Sequence, residues 1–482
     1  MKKWMKHFVL VMAVLTVLSG CSLGGDKGKT NEQQTLRVMY YEESSFYQQY
    51  GMLFTALFPN INIEVISTSK VRPEEGQEQD YTKLMNEFIE KEQPDILMID
   101  STQYEKMATD GKLYELDGFI EKDKYDTEGL VPGMLDYLKE IGGGKLYGMS
   151  TSYSSQALYY NKDLFDKFGI EYPKDKMSFS ELIQLAKRFP TDGSDKERIY
   201  GLKMGYSDNL FDIASTVAGA QNLAFFNAAK KEMTINTPAW KGVFEMALDA
   251  VNSKALYFES NNMMNGGSYE EYLLSNPFIS GRAAMTLDGS YVMQQLKQAQ
   301  DYLKEKDQEK LIKNWDLVSV PVDPANPDYS TMTNFYNIFA INNLAANKEA
   351  AWTFLKYVTG DDFARVTSKT TNYGGFPIRT KYINNEENRN LAAFYALKPS
   401  INNMYKDFDK LPKNFYGEFN GTAQSELQKV KEGKASLDET LVKLQTVGQG
   451  LLDKGDSEQP PSNAETQEGV TDGSISSEPI AN

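Results

Sequence analysis

The residues that most often carry covalent and metal chemistry are nearly absent from this chain of 482 residues. Its one histidine is His7 and its one cysteine is Cys21, both near the amino terminus. The body therefore has no Ser-His-Asp or Cys-His nucleophile, no disulfide, and no zinc site built from imidazole or thiolate. Carboxylates abound, with 67 Asp and Glu against 51 Lys and Arg. A glycosidase needs two of them at a set separation, and in so acidic a chain the mere presence of pairs selects nothing. Asp192 to Glu197 breaks the spacing of a calcium loop and reads as a solvated acidic loop. No catalytic residue, metal ligand or cofactor is expected. The net charge of −16 disfavours nucleic acid, whose phosphates need basic surfaces. Tyr, Phe and Trp number 29, 25 and 4. Those that sit in polar loops are left as candidates for recognition without covalent chemistry.

Such rings need a frame. Leu36 to Tyr41 reads as a strand. Phe46 to Phe58 reads as a helix with Phe46, Tyr50, Leu53, Phe54 and Leu57 inward, stopped by Pro59-Asn60. Ile61 to Ile66 alternates as a strand, Tyr81 to Glu90 is an amphipathic helix, and Pro94 precedes a strand over 95–100. Strand and helix in alternation give an α/β, doubly wound pattern, in which ligands sit beyond the carboxyl ends of strands. The polar turns Tyr41 to Ser44 and Asp100 to Gln103 are therefore candidate site walls. Further on, Gly142-Gly143-Gly144 reads as a hairpin turn. Gln156 to Asn161 is a strand running into a helix. Arg282 to Leu287 is a strand that ends at Asp288-Gly289-Ser290-Tyr291, and Ile338 to Asn342 is another. Asn347 to Val358 is a helix with Ala351, Phe354, Leu355 and Val358 inward.

The two ends stand apart from this frame. Lys2, Lys3 and Lys6 precede an apolar run of 11 residues, Phe8 to Leu18. That is short of the roughly 20 needed to span a bilayer and fits a signal peptide over 1–20. Leu18-Ser19-Gly20-Cys21 matches the bacterial lipobox, which makes Cys21 the expected lipid-modified first residue. Residues 21–35 are Gly-rich and polar, a flexible tether. Two acyl chains suffice for stable anchoring, so the expected location is the extracytoplasmic face of the cell membrane. Residues 455–482 hold no aromatic residue and read as a disordered acidic tail.

Five pieces occur in one order. They are the lipobox, Pro94-Asp95-Ile96 with Gly111-Lys112-Leu113, and Ala157-Leu158-Tyr159-Tyr160-Asn161-Lys162-Asp163. Gly281-Arg282-Ala283-Ala284-Met285 with Gly289-Ser290-Tyr291 comes next, then Asn347-Lys348-Glu349-Ala350-Ala351-Trp352. In this the chain resembles the family 1 extracellular solute-binding proteins of ABC importers, the group that includes the maltose-binding protein. The resemblance implies a two-lobe, periplasmic-binding-protein-like fold, each lobe a sheet flanked by helices, with the ligand in the cleft between. It places one lobe at 36–153 with 320–358 and the other at 154–319 with 359–450. It implies a monomer that hands its ligand to the transmembrane subunits of an ABC permease, and no enzymatic activity.

A carbohydrate ligand would be held by stacking of its C–H faces on rings and by polar side chains at its hydroxyl rim. The candidate rings are Tyr41, Tyr153, Tyr291, Tyr336, Phe376 and Tyr416. Tyr291 and Tyr416 stand where the family often lends a stacking aromatic. The candidate polar groups are Glu42, Asp100, Gln156, Asp288 and Asn334. Gln156 precedes the strand where family members often place a polar contact. Closure is expected as hinge bending near Tyr153 and Val320. The main alternative is a cationic ligand such as a polyamine, met by Glu42, Glu43 and Asp100. Another is a sensor that presents its ligand to a membrane kinase. An acidic uronide would need arginine, of which the chain has eight; Arg379 is the candidate.

Overall fold

Leu36 and Val38 are buried with Arg37 between them partly exposed, and Met39 and Tyr40 are both buried, so the strand alternates at its start and is covered on both faces at its end. In the computed structural model they belong to β1 (Gln34–Tyr40). The structure describes residues 33–72, 81–194, 197–205, 207–259, 267–303, 309–369, 375–385, 388–404 and 406–454. Cys21, the expected leader, most of the expected tether and the expected tail lie outside them. The chain divides into two compact units. One runs through Met98 and takes in Ile341–Lys356; the other comprises Ile99–Ala340 and the chain from Tyr357 onward.

In the first unit β1 lies parallel to β2 (Ile61–Ser67), in register from Gln34↔Ile61 to Tyr40↔Ser67. It is also parallel to β3 (Ile96–Ile99) at Val38↔Ile96. The helix between β1 and β2 is not the single regular one expected. Helical turns at Glu43–Phe46 and Met52–Leu57 flank a π-helical turn at Tyr47–Gly51. The wider turn shifts the phase of the inward face. Phe46, Tyr50 and Phe54 are buried, whereas Leu53 and Leu57 are exposed. Phe46 and Phe54 pack on Phe354, with ring centroids 5.9 and 5.2 Å away. Phe354 comes from the helix Lys348–Val358, whose Ala351, Phe354, Leu355 and Val358 are all buried. Asp95 fastens that helix to the strands. Its carboxylate, itself buried, accepts from the amides of Arg37 and Ala346 at 2.9 and 2.8 Å, and Asn347 Nδ2 donates to the carbonyl of Thr35.

The second unit is organised by one long strand, β5 (Ser152–Asn161), which follows α1 (Ser101–Thr109) and β4 (Gly148–Ser150). The other elements used below are β6 (Tyr200–Lys203), α2 (Leu210–Ala220), β7 (Leu256–Tyr257), β8 (Ala283–Gly289), α3 (Tyr291–Tyr302), β9 (Trp315–Val318), β10 (Thr333–Asn334), β11 (Ile338–Ile341), β12 (Phe376–Pro377) and α4 (Phe415–Lys431). The sheet order is β9-β5-β8-β6-β7, with β10 and β12 also paired to β5. The carboxyl half of β5, Ala157 to Asn161, is buried throughout. It pairs β8 on one side (Ala157↔Asp288, Tyr160↔Met285) and β9 on the other (Leu158↔Val318, Asn161↔Trp315). A central strand covered on both faces reads as such a continuous apolar run. The amino half, where polar residues alternate with Tyr153, takes β10 at Ser154 and Ser155 and β12 at Ser152 and Tyr153. β11 pairs antiparallel with β4.

The glycine run at 142–144 is not a hairpin turn. It ends the helix Met134–Ile141: Gly143 and Gly144 take φ of 69° and 98°, and their amides return to the carbonyls of Glu140 and Lys139. This is the left-handed termination that glycine permits without a Cβ clash.

Candidate functional site

A cavity of about 650 Å³ opens in the second unit, within the range of small-molecule sites. It is lined by the amino half of β5, the end of β8, the first residue of α3, one face of α2, Thr331, Met332, Asn334 and Tyr336, and Asn402, Met404 and Tyr416. β8 meets the cavity at its carboxyl end, where α/β sheets present their ligand-binding loops.

Register fixes the floor. Gly289 pairs with Gln156 and Asp288 with Ala157, so Gln156, Asp288 and Gly289 form adjoining parts of one wall. Beneath them the buried Tyr159 donates its hydroxyl to the carbonyl of Gly289 at 2.7 Å. Burial, and then the charge of Asp288, hold that phenol well above its ordinary value, so it stays a donor. Ser155 and Thr333 share a buried hydroxyl hydrogen bond of 3.1 Å, which pins β10 to β5 and leaves Asn334 and Tyr336 at the rim. A Cβ at Gly289 would stand 3.3 Å from the Tyr291 ring. That glycine lets the ring lie close against the strand end.

Three tyrosines present open faces here. Tyr291 is 44% exposed, Tyr336 62% and Tyr416 42%. Burial first, and the charge of Asp288 second, push the pKa of the Tyr291 hydroxyl above its ordinary value. Asp288 itself is buried and paired with Lys203 Nζ at 3.3 Å. Opposite these rings α2 turns a polar face, Asp212, Ser215, Thr216 and Gly219, at the i, i+3, i+4, i+7 spacing of one helical stripe. Its Phe211, Ile213, Ala214, Val217 and Ala218 go to the core. Gly219 admits the Asn402 amide, whose Nδ2 would lie 3.3 Å from an added Cβ, and its carbonyl accepts from Thr331 Oγ1 at 3.0 Å. Burial raises the Asp212 carboxyl above its ordinary value. Among the described residues the lining contains two carboxylates, three phenols, amides and hydroxyls, and no lysine or arginine.

Of the residues expected from sequence, the cavity brings together Gln156, Asp288, Tyr291, Asn334, Tyr336 and Tyr416. The others lie elsewhere. Tyr153 and Phe376 are buried neighbours, 5.6 Å between ring centroids, in an aromatic cluster that includes Phe335 and Phe394. Tyr41 and Glu42 belong to the first unit, and Tyr41 is exposed. Glu42 caps the helix that follows, accepting from the Ser45 amide and from the hydroxyls of Ser44 and Ser45, which lower its pKa. Asp100 caps α1 in a reciprocal box with Gln103. Arg379 is buried and committed, with Nη1 2.7 Å from Asp126 and Nε donating to the carbonyl of Thr359. Sequence reasoning missed Asp212, Ser215, Thr216 and Asn402. The polar stripe on an otherwise apolar helix was a signal for the first three. Among the described residues no group of three or more His, Cys, Asp or Glu could hold a metal, and no helix is long and apolar enough to cross a membrane.

The sequence pattern of bacterial extracellular solute-binding proteins matches residues 29–364. A sugar transporter of Rhizobium etli in an open conformation superposes with a TM-score of 0.60 at 21% identity, covering 86% of this chain and 99% of that one. The sugar-binding protein MalE of Xanthomonas citri gives 0.60 at 16% identity, covering 87% and 98%. In sequence, the sn-glycerol-3-phosphate-binding periplasmic protein UgpB of Brucella abortus is 32% identical over 110 residues, 22% of this chain and 25% of that protein. The structural likenesses establish the fold, that of the two-lobe solute-binding proteins.

Proposed function

We propose that this chain, which belongs to the family of bacterial extracellular solute-binding proteins, captures a carbohydrate, an oligosaccharide, for an ABC importer. Family members bind small-molecule solutes outside the cytoplasm and work with permease subunits. The observation that carries the carbohydrate reading is the convergence of Tyr291, Tyr336 and Tyr416, each with an exposed face, on one cavity. Rings supply apolar platforms for sugar C–H faces. Gln156, Asn334, Asn402 and the carboxylate of Asp288 supply partners for hydroxyls. Sequence likeness to a glycerol-3-phosphate-binding protein raises an anionic ligand, but among the described residues the lining offers no cation to neutralise a phosphate or uronate, and Arg379 is engaged elsewhere.

The rest of the proposal follows the sequence. Cys21 carries the lipid anchor, and the protein acts as a monomer. The two lobes, 36–153 with 320–358 and 154–319 with 359–450, close by hinge bending near Tyr153 and Val320. A ligand drives closure only by its higher affinity for the closed state. Binding without catalysis is the whole task.

One observation favours a second reading. Asp212 lines the cavity without an ion-pair partner among the described residues, and an ammonium group would supply one. A thermal-shift screen of the secreted form over neutral oligosaccharides, uronides and polyamines separates these readings. A ligand at 100 times its Kd adds about 2.7 kcal/mol of stability. A neutral saccharide hit is expected; a response to polyamines alone overturns the carbohydrate reading.

A further inference from the structure

Tyrosines with open faces do not stop at the cavity. α3 begins with Tyr291, in the cavity wall, and ends with Tyr302, 56% exposed. Eleven residue steps at 1.5 Å put the two ends of the helix about 16 Å apart. Alongside runs a short helix, Tyr269–Ser275. Its Leu273 is buried, while Tyr269 and Tyr272, three residues apart on one face, are 45% and 56% exposed. The Tyr269 ring meets the Tyr302 ring edge-on at 4.9 Å and 88°, and lies near-parallel to Tyr272 at 6.1 Å and 22°. Eleven residues also bring Tyr302 back to the face of α3 that Tyr291 occupies. The rings of Tyr272, Tyr269 and Tyr302 are thus successive neighbours, and α3 joins them to Tyr291 in the cavity wall.

We propose that these four tyrosines form an aromatic track leading out of the cavity, on which further sugar rings of a bound oligosaccharide stack. The proposal rests on the carbohydrate reading and deepens it, by making the ligand a chain longer than the cavity holds. The occupant is argued from continuity. The track starts at a ring of the cavity wall, so a chain seated there has its next units directed along α3. It is argued also from chemistry. Among the described residues the exposed large side chains of this cluster are phenols, and the aliphatic Leu273 is turned inward. A phenol offers an apolar face and a polar tip together, as a hydroxyl-rimmed sugar ring requires.

The test is calorimetric titration of the secreted form of the whole chain with graded series of α-1,4-linked gluco-oligosaccharides and β-1,4-linked cello-oligosaccharides. The readout is the ratio of affinities for the longest and shortest members that bind. In the Tyr272→Ala and Tyr302→Ala variants that ratio is expected to fall about tenfold, the effect of one aromatic contact of about 1.4 kcal/mol. Tyr272→Phe, which keeps the ring, is expected to retain the wild-type ratio. A ratio unchanged by both alanine variants overturns the track and leaves the cavity reading standing. A loss in Tyr272→Phe equal to that in Tyr272→Ala overturns stacking as its basis. Absence of saccharide binding by the wild type at every length overturns the carbohydrate reading, and the track with it.

Discussion

The hydroxyl of Tyr159 donates to the carbonyl of Gly289 across 2.7 Å, joining two segments that lie far apart in sequence and meet under the cavity floor. Tyr159 belongs to the Ala157–Asp163 motif and Gly289 to the turn that delivers Tyr291. The ring of Tyr159 is held by Phe278, Trp315 and Phe394, so its hydroxyl has little freedom to point elsewhere. A core contact thereby sets where a cavity aromatic begins.

Tyr159→Phe isolates that bond. The ring packing persists while the Gly289 carbonyl loses its side-chain donor. Leaving one buried polar group without its partner costs about 1–3 kcal/mol. The expected result is a lower midpoint of urea unfolding with an unchanged slope, the signature of a stability change without a change in the surface exposed. A midpoint equal to wild type means that water or another donor replaces the phenol.

Tyr291→Ala removes a platform in the cavity wall. Ligand affinity is expected to fall by about 1–3 kcal/mol, the cost of truncating an interface anchor, with stability nearly unchanged because the ring is half-exposed. Tyr291→Phe keeps the face and should lose less. Titration with whichever saccharide scores in the thermal screen measures both, and an unchanged affinity in Tyr291→Ala removes this residue from the site.

The Asp212 carboxyl gives a pH prediction whose sign follows from its direction of shift. Burial raises its pKa in the folded protein, so the native chain holds that proton more tightly than the unfolded one. Stability from this group is present below the ordinary carboxylate range and is lost as pH rises through the raised value. Asp212→Asn is therefore expected to gain stability relative to wild type across that window and to run parallel to it above. Urea unfolding of both proteins over a pH series is the measurement. The same variant separates ligands: it abolishes polyamine binding if Asp212 is the counter-charge, and changes neutral saccharide binding only modestly.

The sequence made the frame of both units readable for a simple reason: strands buried on one or both faces announce themselves by alternation or by unbroken apolar runs. β2 and the Ala157–Asn161 half of β5 are examples. The inner face of the helix after β1 was less readable, because the π turn at Tyr47–Gly51 rephases it and exposes Leu53 and Leu57. Within the site, Gln156, Asp288 and Tyr291 were legible because they flank two strands that pair with each other. Tyr153 and Phe376 sit among polar and glycine neighbours that suggest exposure. Yet they find each other and Phe335 through pairings of β10 and β12 that no local pattern declares. Asp212 and Asn402 reach the cavity from segments far apart in sequence, which only the tertiary fold brings to one wall.

Asp95 tests whether a motif residue serves the fold rather than the ligand. Its buried carboxylate takes the amides of Arg37 and Ala346, tying β1 to the start of the helix that carries Phe354 and Trp352. In Asp95→Ala these two donors and the Asn347 amide, 3.4 Å from the same carboxylate, lose their partner, and each such loss costs about 1–3 kcal/mol. Asp95→Asn keeps one acceptor oxygen but turns an amide toward a backbone N–H, so an intermediate loss is expected. Hydrogen exchange should show the loss first at the amides of β1 and of Lys348–Val358, because opening free energies are local to the contacts that set them. If instead stability holds in Asp95→Ala and saccharide affinity falls, the carboxylate acts on the ligand and the structural role is wrong.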